Sequence, residues 1–141
     1  MGRIGPKNLM LALSVLLVTG VISIGGCVGS ETVIEYVTPR EAVALIQDNQ
    51  NNPDFEIIDV RTTEEFAEGY IENASMMDFY SETFQNELGK LDKDKTYLIY
   101  CRSGNRSGKT LDVMYELNFR EVYNMLGGIT RWTSEGLPII K

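Results

Sequence analysis

A cysteine that joins an apolar segment to a polar one is the side chain best placed for covalent chemistry in this sequence. Cys101 follows the β-forming segment Tyr97–Tyr100 and precedes a periodic apolar segment, Ser107–Leu117. The pattern predicts a buried strand, a short loop and then a helix. The residues of the loop are small, polar or cationic: Arg102, Ser103, Gly104, Asn105 and Arg106.

The position predicted for Cys101 favours its thiolate form. Helix N-termini and loops of convergent N–H groups stabilise anions, and nearby guanidinium groups lower a thiol pKa. Most free cysteines are instead small buried hydrophobic residues. That role does not require a glycine loop with an arginine on each side, so we predict that Cys101 is a nucleophile.

Composition limits the other kinds of chemistry. The 141 residues are enough for one domain core. The sequence has no histidine, which excludes Ser–His and Cys–His catalysis and histidine-ligated metals. With only two cysteines, we expect no metal site and no cofactor. The net charge of −7 makes nucleic acid a poor partner.

The first residues have the pattern of a targeting segment. Arg3 and Lys7 lie before a largely apolar stretch, Asn8–Gly26, which ends directly before Cys27. This pattern is typical of a secretory signal, and Cys27 after small residues resembles a lipobox, which implies that Cys27 is lipidated. The alternative is an uncleaved membrane anchor over residues 1–27. Both predict an extracytoplasmic domain attached to a membrane through a short tether, residues 28–32. An exported chain with two cysteines could form a disulfide, but lipidation of Cys27 would leave Cys101 as an unpaired thiol.

The remainder of the chain, residues 33–141, alternates strand and helix patterns, which predicts an α/β fold with a mainly parallel sheet. The predicted strands are Val33–Val37, Phe55–Val60, Ser75–Asp78, Tyr97–Tyr100 and Glu121–Met125. Helices are predicted after Thr38, after Thr63, and over Ser81–Leu88, Ser107–Leu117 and Ile129–Ser134. Cys101 then lies beyond the carboxyl end of a central strand, where such sheets place their sites.

The segment from Cys101 to Ser107 resembles the active-site loop of the rhodanese family. Other motifs agree with it in order and spacing: Asp59-Val60-Arg61, Glu65-Phe66, Gly69-Tyr70-Ile71 and Gly127-Gly128-Ile129 with Trp132. The resemblance covers residues 33–141 and implies a three-layer fold with a mainly parallel central sheet flanked by helices. Tyr70 and Glu72 stand where the family usually has histidine and proline.

The resemblance implies a sulfurtransferase in which Cys101 carries a persulfide. The sulfur would come from thiosulfate, a polysulfide or a persulfide, and would pass to cyanide or a thiol. The N–H groups of residues 102–106 would cradle the sulfur, and Arg102 and Arg106 would hold the donor anion. A solvated surface arginine is the alternative for Arg102, and the loop itself is expected to orient Arg106. Asp59 and Arg61 are expected to form a structural ion pair.

Two other functions remain open at this point. One is a tethered sulfur carrier or binding module with little turnover of its own. The other is a cysteine-dependent phosphatase or arsenate reductase, which is disfavoured because those enzymes place five residues between cysteine and arginine. Here, four residues separate Cys101 from Arg106. Trp132 is expected to be a core residue, with ligand stacking as the alternative.

Overall fold

The computed structural model describes residues 31–141, which form five strands alternating with five helices. The strands are β1 Val33–Val37, β2 Phe55–Asp59, β3 Ala74–Met76, β4 Thr96–Tyr100 and β5 Glu121–Met125. The helices are α1 Pro39–Asp48, α2 Thr63–Ala67, α3 Phe84–Lys90, α4 Asn105–Glu116 and α5 Gly128–Ser134. All neighbouring strands are parallel, in the order β1-β5-β4-β2-β3, which confirms the predicted α/β fold.

Strand β4 lies at the centre of the sheet, between β5 and β2. Its apolar side chains alternate between the two faces, because successive residues of a strand point to opposite sides. Tyr97 and Ile99 pack on the face covered by α3 and α4, whereas Leu98 and Tyr100 pack on the face covered by α1 and α5. The central strand is therefore buried on both sides, and the chain leaves it at Cys101.

Helix α4 begins earlier than the sequence pattern predicted. It starts at Asn105 rather than Ser107, because Gly104 adopts a left-handed conformation (φ 98°) that turns the chain directly from the loop into the helix. The helical spacing of apolar residues predicts one buried stripe that contains Leu111, Met114 and Tyr115. Leu111 and Met114 are buried, but Tyr115 is 63% exposed.

The boundaries of α2 and α3 also differ from the prediction. The N-cap of α2 is Thr62, not Thr63, and Glu65 completes a capping box with it. Helix α3 begins at Phe84 rather than Ser81, because the Ser81 hydroxyl accepts from the Thr83 N–H and bonds to the Thr83 hydroxyl, which holds these residues in a turn. The helix continues to Lys90, two residues beyond the predicted end at Leu88.

Strands β2 and β3 were also predicted with different limits. Strand β2 ends at Asp59 instead of Val60, and β3 covers Ala74–Met76 instead of Ser75–Asp78. Within residues 31–141, no helix has both the length and the apolar character needed to cross a membrane. The predicted signal segment, Cys27 and most of the tether lie outside the described residues.

Candidate active site

The Cys101 side chain lies at the carboxyl end of β4 and is 1% exposed. Its sulfur accepts a hydrogen bond from the Gly104 N–H at 3.1 Å and another from the Ser107 hydroxyl at 3.4 Å. The Gly104 donor belongs to the loop, and the Ser107 donor belongs to the first turn of α4. Sγ therefore sits at the N-terminal end of α4, inside a ring of donors from the loop and the first helical turn.

Burial and these hydrogen bonds shift the pKa of Cys101 in opposite directions. Burial alone would raise the pKa of Cys101, because it disfavours the charged form. The hydrogen bonds from the Ser107 hydroxyl and from the N–H groups of Ser107, Ser103 and Gly104 outweigh burial and lower the pKa below its ordinary value. The site therefore stabilises the thiolate, the nucleophilic form of cysteine, more than an ordinary cysteine environment does.

Backbone hydrogen bonds join the start of α5 to the Cys101 loop. The Ile129 N–H donates to the Cys101 carbonyl at 2.9 Å, and the Thr130 N–H donates to the Arg102 carbonyl at 3.1 Å. Gly128 permits this approach, since a Cβ on it would lie 2.3 Å from the Cys101 carbonyl oxygen. The first N–H groups of one helix thus bind the carbonyls of the loop, while the N–H groups of the loop face the sulfur.

The two arginines of the loop have different surroundings. Arg102 is exposed. The Arg106 guanidinium donates to both carboxylate oxygens of Glu65, at 2.7 and 2.8 Å, and lies 5.5 Å from the centre of the Tyr80 ring. This differs from the expectation that the loop itself orients Arg106, because the orienting group comes from α2. Arg102 is the guanidinium of this loop that solvent and ligands reach most readily.

Glu65 connects α2 to the Cys101 loop. The same carboxylate accepts from the Thr62 N–H at 3.2 Å, completing the capping box of α2, and binds Arg106. The hydrogen bond from Arg106, opposed by burial and assisted by the Thr62 N–H, lowers the pKa of Glu65 to about 2. Glu65 is therefore ionised at neutral pH and fixes the Arg106 side chain.

Asp59 and Arg61 form a buried ion pair at the carboxyl end of β2. Arg61 Nη2 lies 2.7 Å from Asp59 Oδ2, and it also donates to the Gly69 carbonyl at 2.7 Å. The Arg61 side chain is 5% exposed and lies 5.9 Å from the centre of the Tyr100 ring. The Arg61 guanidinium is therefore buried against protein groups, whereas Arg102 is exposed.

The remaining residues singled out in the sequence lie around this arrangement. Ser103 and Asn105 expose their side chains on the loop, and Tyr70, the substitute for histidine, stacks on Phe66 with ring centres 4.1 Å apart. Glu72, the substitute for proline, is exposed.

Sequence reasoning missed two residues of the site. The pattern treated Ser107 only as the first residue of a helix, yet its hydroxyl donates to Cys101. Gly127-Gly128 entered the sequence analysis only as part of a family motif, whereas Gly128 lies against the Cys101 carbonyl. A hydroxyl in the first turn of the helix after the cysteine was the signal available for Ser107. No local signal identified the role of Gly128.

Trp132 packs in the core on the opposite side of the sheet from Cys101. It is 3% exposed, and its Nε1 donates to the Pro138 carbonyl at 2.8 Å. One of its edges borders a cavity of about 930 Å³ between α1, β2 and the C-terminal segment. Trp132 therefore does not belong to the Cys101 site.

Comparisons with known proteins agree with this geometry. Residues 38–135 match the family model described as a rhodanese-like domain. The chain belongs to the rhodanese-like family. One curated relative in the family, called a sulfurtransferase, comes from Allochromatium vinosum. It is 31% identical over 104 residues, which cover 74% of this chain and 95% of that protein.

Two further similarities show the range of proteins that contain this rhodanese-like domain. The polysulfide-sulfur transferase homodimer from Wolinella succinogenes is 30% identical, with a TM-score of 0.61, and the match covers 77% of this chain and 78% of that one. The tRNA uridine(34) hydroxylase of Enterobacter is 31% identical over 115 residues. That match covers 74% of this chain but only 31% of the hydroxylase, so this chain spans about a third of such relatives.

Proposed function

We propose that this rhodanese-like protein is a sulfurtransferase that carries sulfane sulfur on Cys101. The observation that supports it most directly is the Cys101 sulfur at the end of β4, which accepts hydrogen bonds from Gly104 and Ser107 and has a lowered thiol pKa. The names of the Allochromatium and Wolinella relatives support the same reaction class.

In the first half-reaction, the Cys101 thiolate attacks the outer sulfur of a donor such as thiosulfate, a polysulfide or a persulfide. A new S–S bond forms on Cys101 while the donor S–S bond breaks, and the leaving group departs with the electron pair, as sulfite when thiosulfate is the donor. The exposed Arg102 meets the donor anion. The hydrogen bonds to Sγ lower the pKa of Cys101 and so make its thiolate easier to form.

In the second half-reaction, an acceptor attacks the outer sulfur of the Cys101 persulfide. Cyanide takes that sulfur as thiocyanate, and a thiolate takes it as a new persulfide. In both cases the electron pair of the broken bond returns to Cys101 and regenerates its thiolate. The N–H groups around the sulfur stabilise the anion before and after transfer, so one set of donors serves both halves of the cycle.

The experiment is an assay of thiosulfate:cyanide transfer combined with mass spectrometry of the protein. We expect the wild type to gain one sulfur atom on Cys101 after donor treatment and to form thiocyanate. Cys101→Ser should lose both activities, whereas Cys27→Ser, which removes the other cysteine of the sequence, should keep both. Persulfide that forms without turnover would indicate a carrier. Turnover that survives in Cys101→Ser would contradict the proposal.

We further propose that the domain is attached to a membrane outside the cytoplasm through the N-terminal segment. The support comes from the sequence alone, namely Arg3 and Lys7, the apolar stretch after them and Gly25-Gly26-Cys27. Expression of the full chain with a labelled fatty acid tests this. We expect label in the membrane fraction of the wild type and none in Cys27→Ser. Label retained in the variant would refute lipidation at Cys27.

A further inference from the structure

Helix α2 carries Glu65, the partner of Arg106, but the helix buries little surface of its own. Three of its five residues are exposed, and the other two, Glu65 and Phe66, are only partly buried. A helix of this length is not stable alone and depends on packing against other elements. The position of the Glu65 carboxylate is therefore set by the contacts that hold α2 in place.

Tyr70 provides an aromatic contact to α2. Its ring stacks on the Phe66 ring with centres 4.1 Å apart and an angle of 11° between the ring planes. The backbone between the two residues is also fixed, since the Gly69 N–H donates to the Phe66 carbonyl at 3.0 Å. Because Phe66 directly follows Glu65 in sequence, the stack with Tyr70 helps to hold the part of α2 that carries the carboxylate.

Residues that follow α5 hold Tyr70 from the other side. Tyr70 and Ile140 form an antiparallel bridge, with N–H to carbonyl distances of 2.9 and 2.8 Å in the two directions. Ile139 packs against Gly69, where an added Cβ would lie 2.7 Å from the Ile139 Cδ1 atom. Tyr70 is thus bound between α2 and a segment that continues from α5, the helix that also binds the carbonyl of Cys101.

The contacts of α2 bear on the reaction because Arg106 is close enough to Cys101 for their charges to interact. The hydrogen bond to Glu65 is the main cause of the raised pKa of Arg106, and the negative charge of a Cys101 thiolate adds to it. The guanidinium therefore attracts both the thiolate and an anionic donor. Displacement of Glu65 would let the Arg106 side chain move into solvent, which would weaken this attraction.

We propose that Tyr70 is a positioning residue for sulfur transfer. Together with Ile140 it holds α2, so that Glu65 keeps the Arg106 guanidinium near the sulfur. The inference rests on the proposed sulfur transfer through Cys101. Tyr70 acts through the pair of Glu65 and Arg106 and not by contact with the sulfur or the donor. Loss of its ring should therefore weaken donor binding more than it slows the chemical step.

The test compares the kinetics of thiosulfate:cyanide transfer in variants of Tyr70 and of the segment that holds it. We expect Tyr70→Ala to raise the KM for thiosulfate about two- to fivefold with little change in kcat, because only part of the energy of an aromatic contact reaches Arg106. Tyr70→Phe keeps the stacked ring and should have the wild-type KM. Ile140→Pro removes the N–H that donates to the Tyr70 carbonyl and should raise the KM in the same way. Lys141→Pro is its matched control, since the Lys141 N–H donates no hydrogen bond within residues 31–141.

A background without the Glu65 charge separates positioning from a general loss of stability. In Glu65→Gln, Tyr70→Ala should not increase the KM for thiosulfate any further, because the pair that Tyr70 positions is already weakened. It should still lower the free energy of unfolding measured in urea. An increase in KM of the same size in both backgrounds would overturn the proposal, and so would a wild-type KM in Tyr70→Ala.

An NMR titration of the Glu65 carboxyl group tests the positioning role without any need for catalysis. The pKa of Glu65 is about 2, chiefly because Arg106 donates hydrogen bonds to it. We expect this pKa to rise in Tyr70→Ala and to stay low in Tyr70→Phe. An unchanged pKa of Glu65 in Tyr70→Ala would overturn the positioning role. Absence of thiocyanate formation by the wild type, together with the expected titration, would overturn only the sulfur transfer.

Discussion

Replacement of Gly128 by alanine tests whether the contact between α5 and the Cys101 loop holds the site together. An added Cβ would lie 2.3 Å from the Cys101 carbonyl oxygen and 2.6 Å from the carbonyl carbon and oxygen of Arg102. All three atoms belong to the backbone, so no side chain can rotate to make room. The loop and the start of α5 would have to move apart.

The expected loss of stability has two parts. Alanine at the left-handed φ of 56° costs about 1 kcal/mol. Separation of the loop from α5 weakens the bonds from Ile129 to the Cys101 carbonyl and from Thr130 to the Arg102 carbonyl, at about 1 kcal/mol each. We therefore expect Gly128→Ala to lower the free energy of unfolding by about 3 kcal/mol.

Gly136 provides a matched control for the backbone part of this effect. Its φ is 76°, also left-handed, but nothing lies within 4 Å of an added Cβ. Gly136→Ala should therefore lose only about 1 kcal/mol. Gly89→Ala, with open space and no positive φ, should be neutral or slightly stabilising.

The assay is urea unfolding of the three variants, together with the pH dependence of Cys101 alkylation. Displacement of the loop should also weaken the hydrogen bonds to Sγ, so Gly128→Ala should raise the thiol pKa while Gly136→Ala leaves it unchanged. Equal stability losses in Gly128→Ala and Gly136→Ala, with the same alkylation profile as the wild type, would refute the argument that this contact shapes the site.

Three further predictions concern the side chains around the loop. Ser107→Ala removes a donor to Sγ, so the pKa of Cys101 should rise, as read from the pH dependence of alkylation. Asp59→Asn leaves the buried Arg61 without its carboxylate and should cost about 3 kcal/mol in urea unfolding. The pKa of Glu65 falls from 4.5 to about 2 on folding, so this carboxylate stabilises the protein above pH 4.5 and the stabilisation disappears as the pH falls toward 2. Solvent screening at a side chain 22% exposed limits that loss to about 1–2 kcal/mol. Urea unfolding across this pH range should show a smaller loss in Glu65→Gln.

Each of these predictions has a control or a contradicting result. Ser75→Ala removes a hydroxyl that bonds to the Ile57 carbonyl, remote from the thiol, and should leave the alkylation profile unchanged. Glu56→Gln breaks a partly exposed pair with Lys95 and should cost less than about 1 kcal/mol. A loss as large as that of Asp59→Asn would show that burial does not explain the difference. Identical acid profiles for the wild type and Glu65→Gln would show that another carboxylate controls acid unfolding.

Local signals in the sequence were sufficient for much of the fold. Thr38 followed by Pro39 predicted the start of α1, and the structure confirms it with a capping box between Thr38 and Glu41. The β-forming run before Cys101 predicted a buried central strand, which is β4. Both predictions succeeded because they depend on patterns within a few neighbouring residues. The observed helix boundaries differ from the predicted ones by one to three residues where a hydroxyl or a glycine conformation sets the end of the helix, as at Ser81 and Gly104.

The sequence by itself determined that a cysteine follows a central strand and precedes a helix, because those patterns are local. Only the tertiary structure decided which groups surround that cysteine. Glu65 meets Arg106 across 41 positions of the chain, and Gly128 meets the Cys101 carbonyl only because β5 pairs with β4. Such contacts depend on how elements pack against one another. The partners of the loop, and hence which arginine stays exposed beside the thiol, follow from that packing rather than from any local pattern.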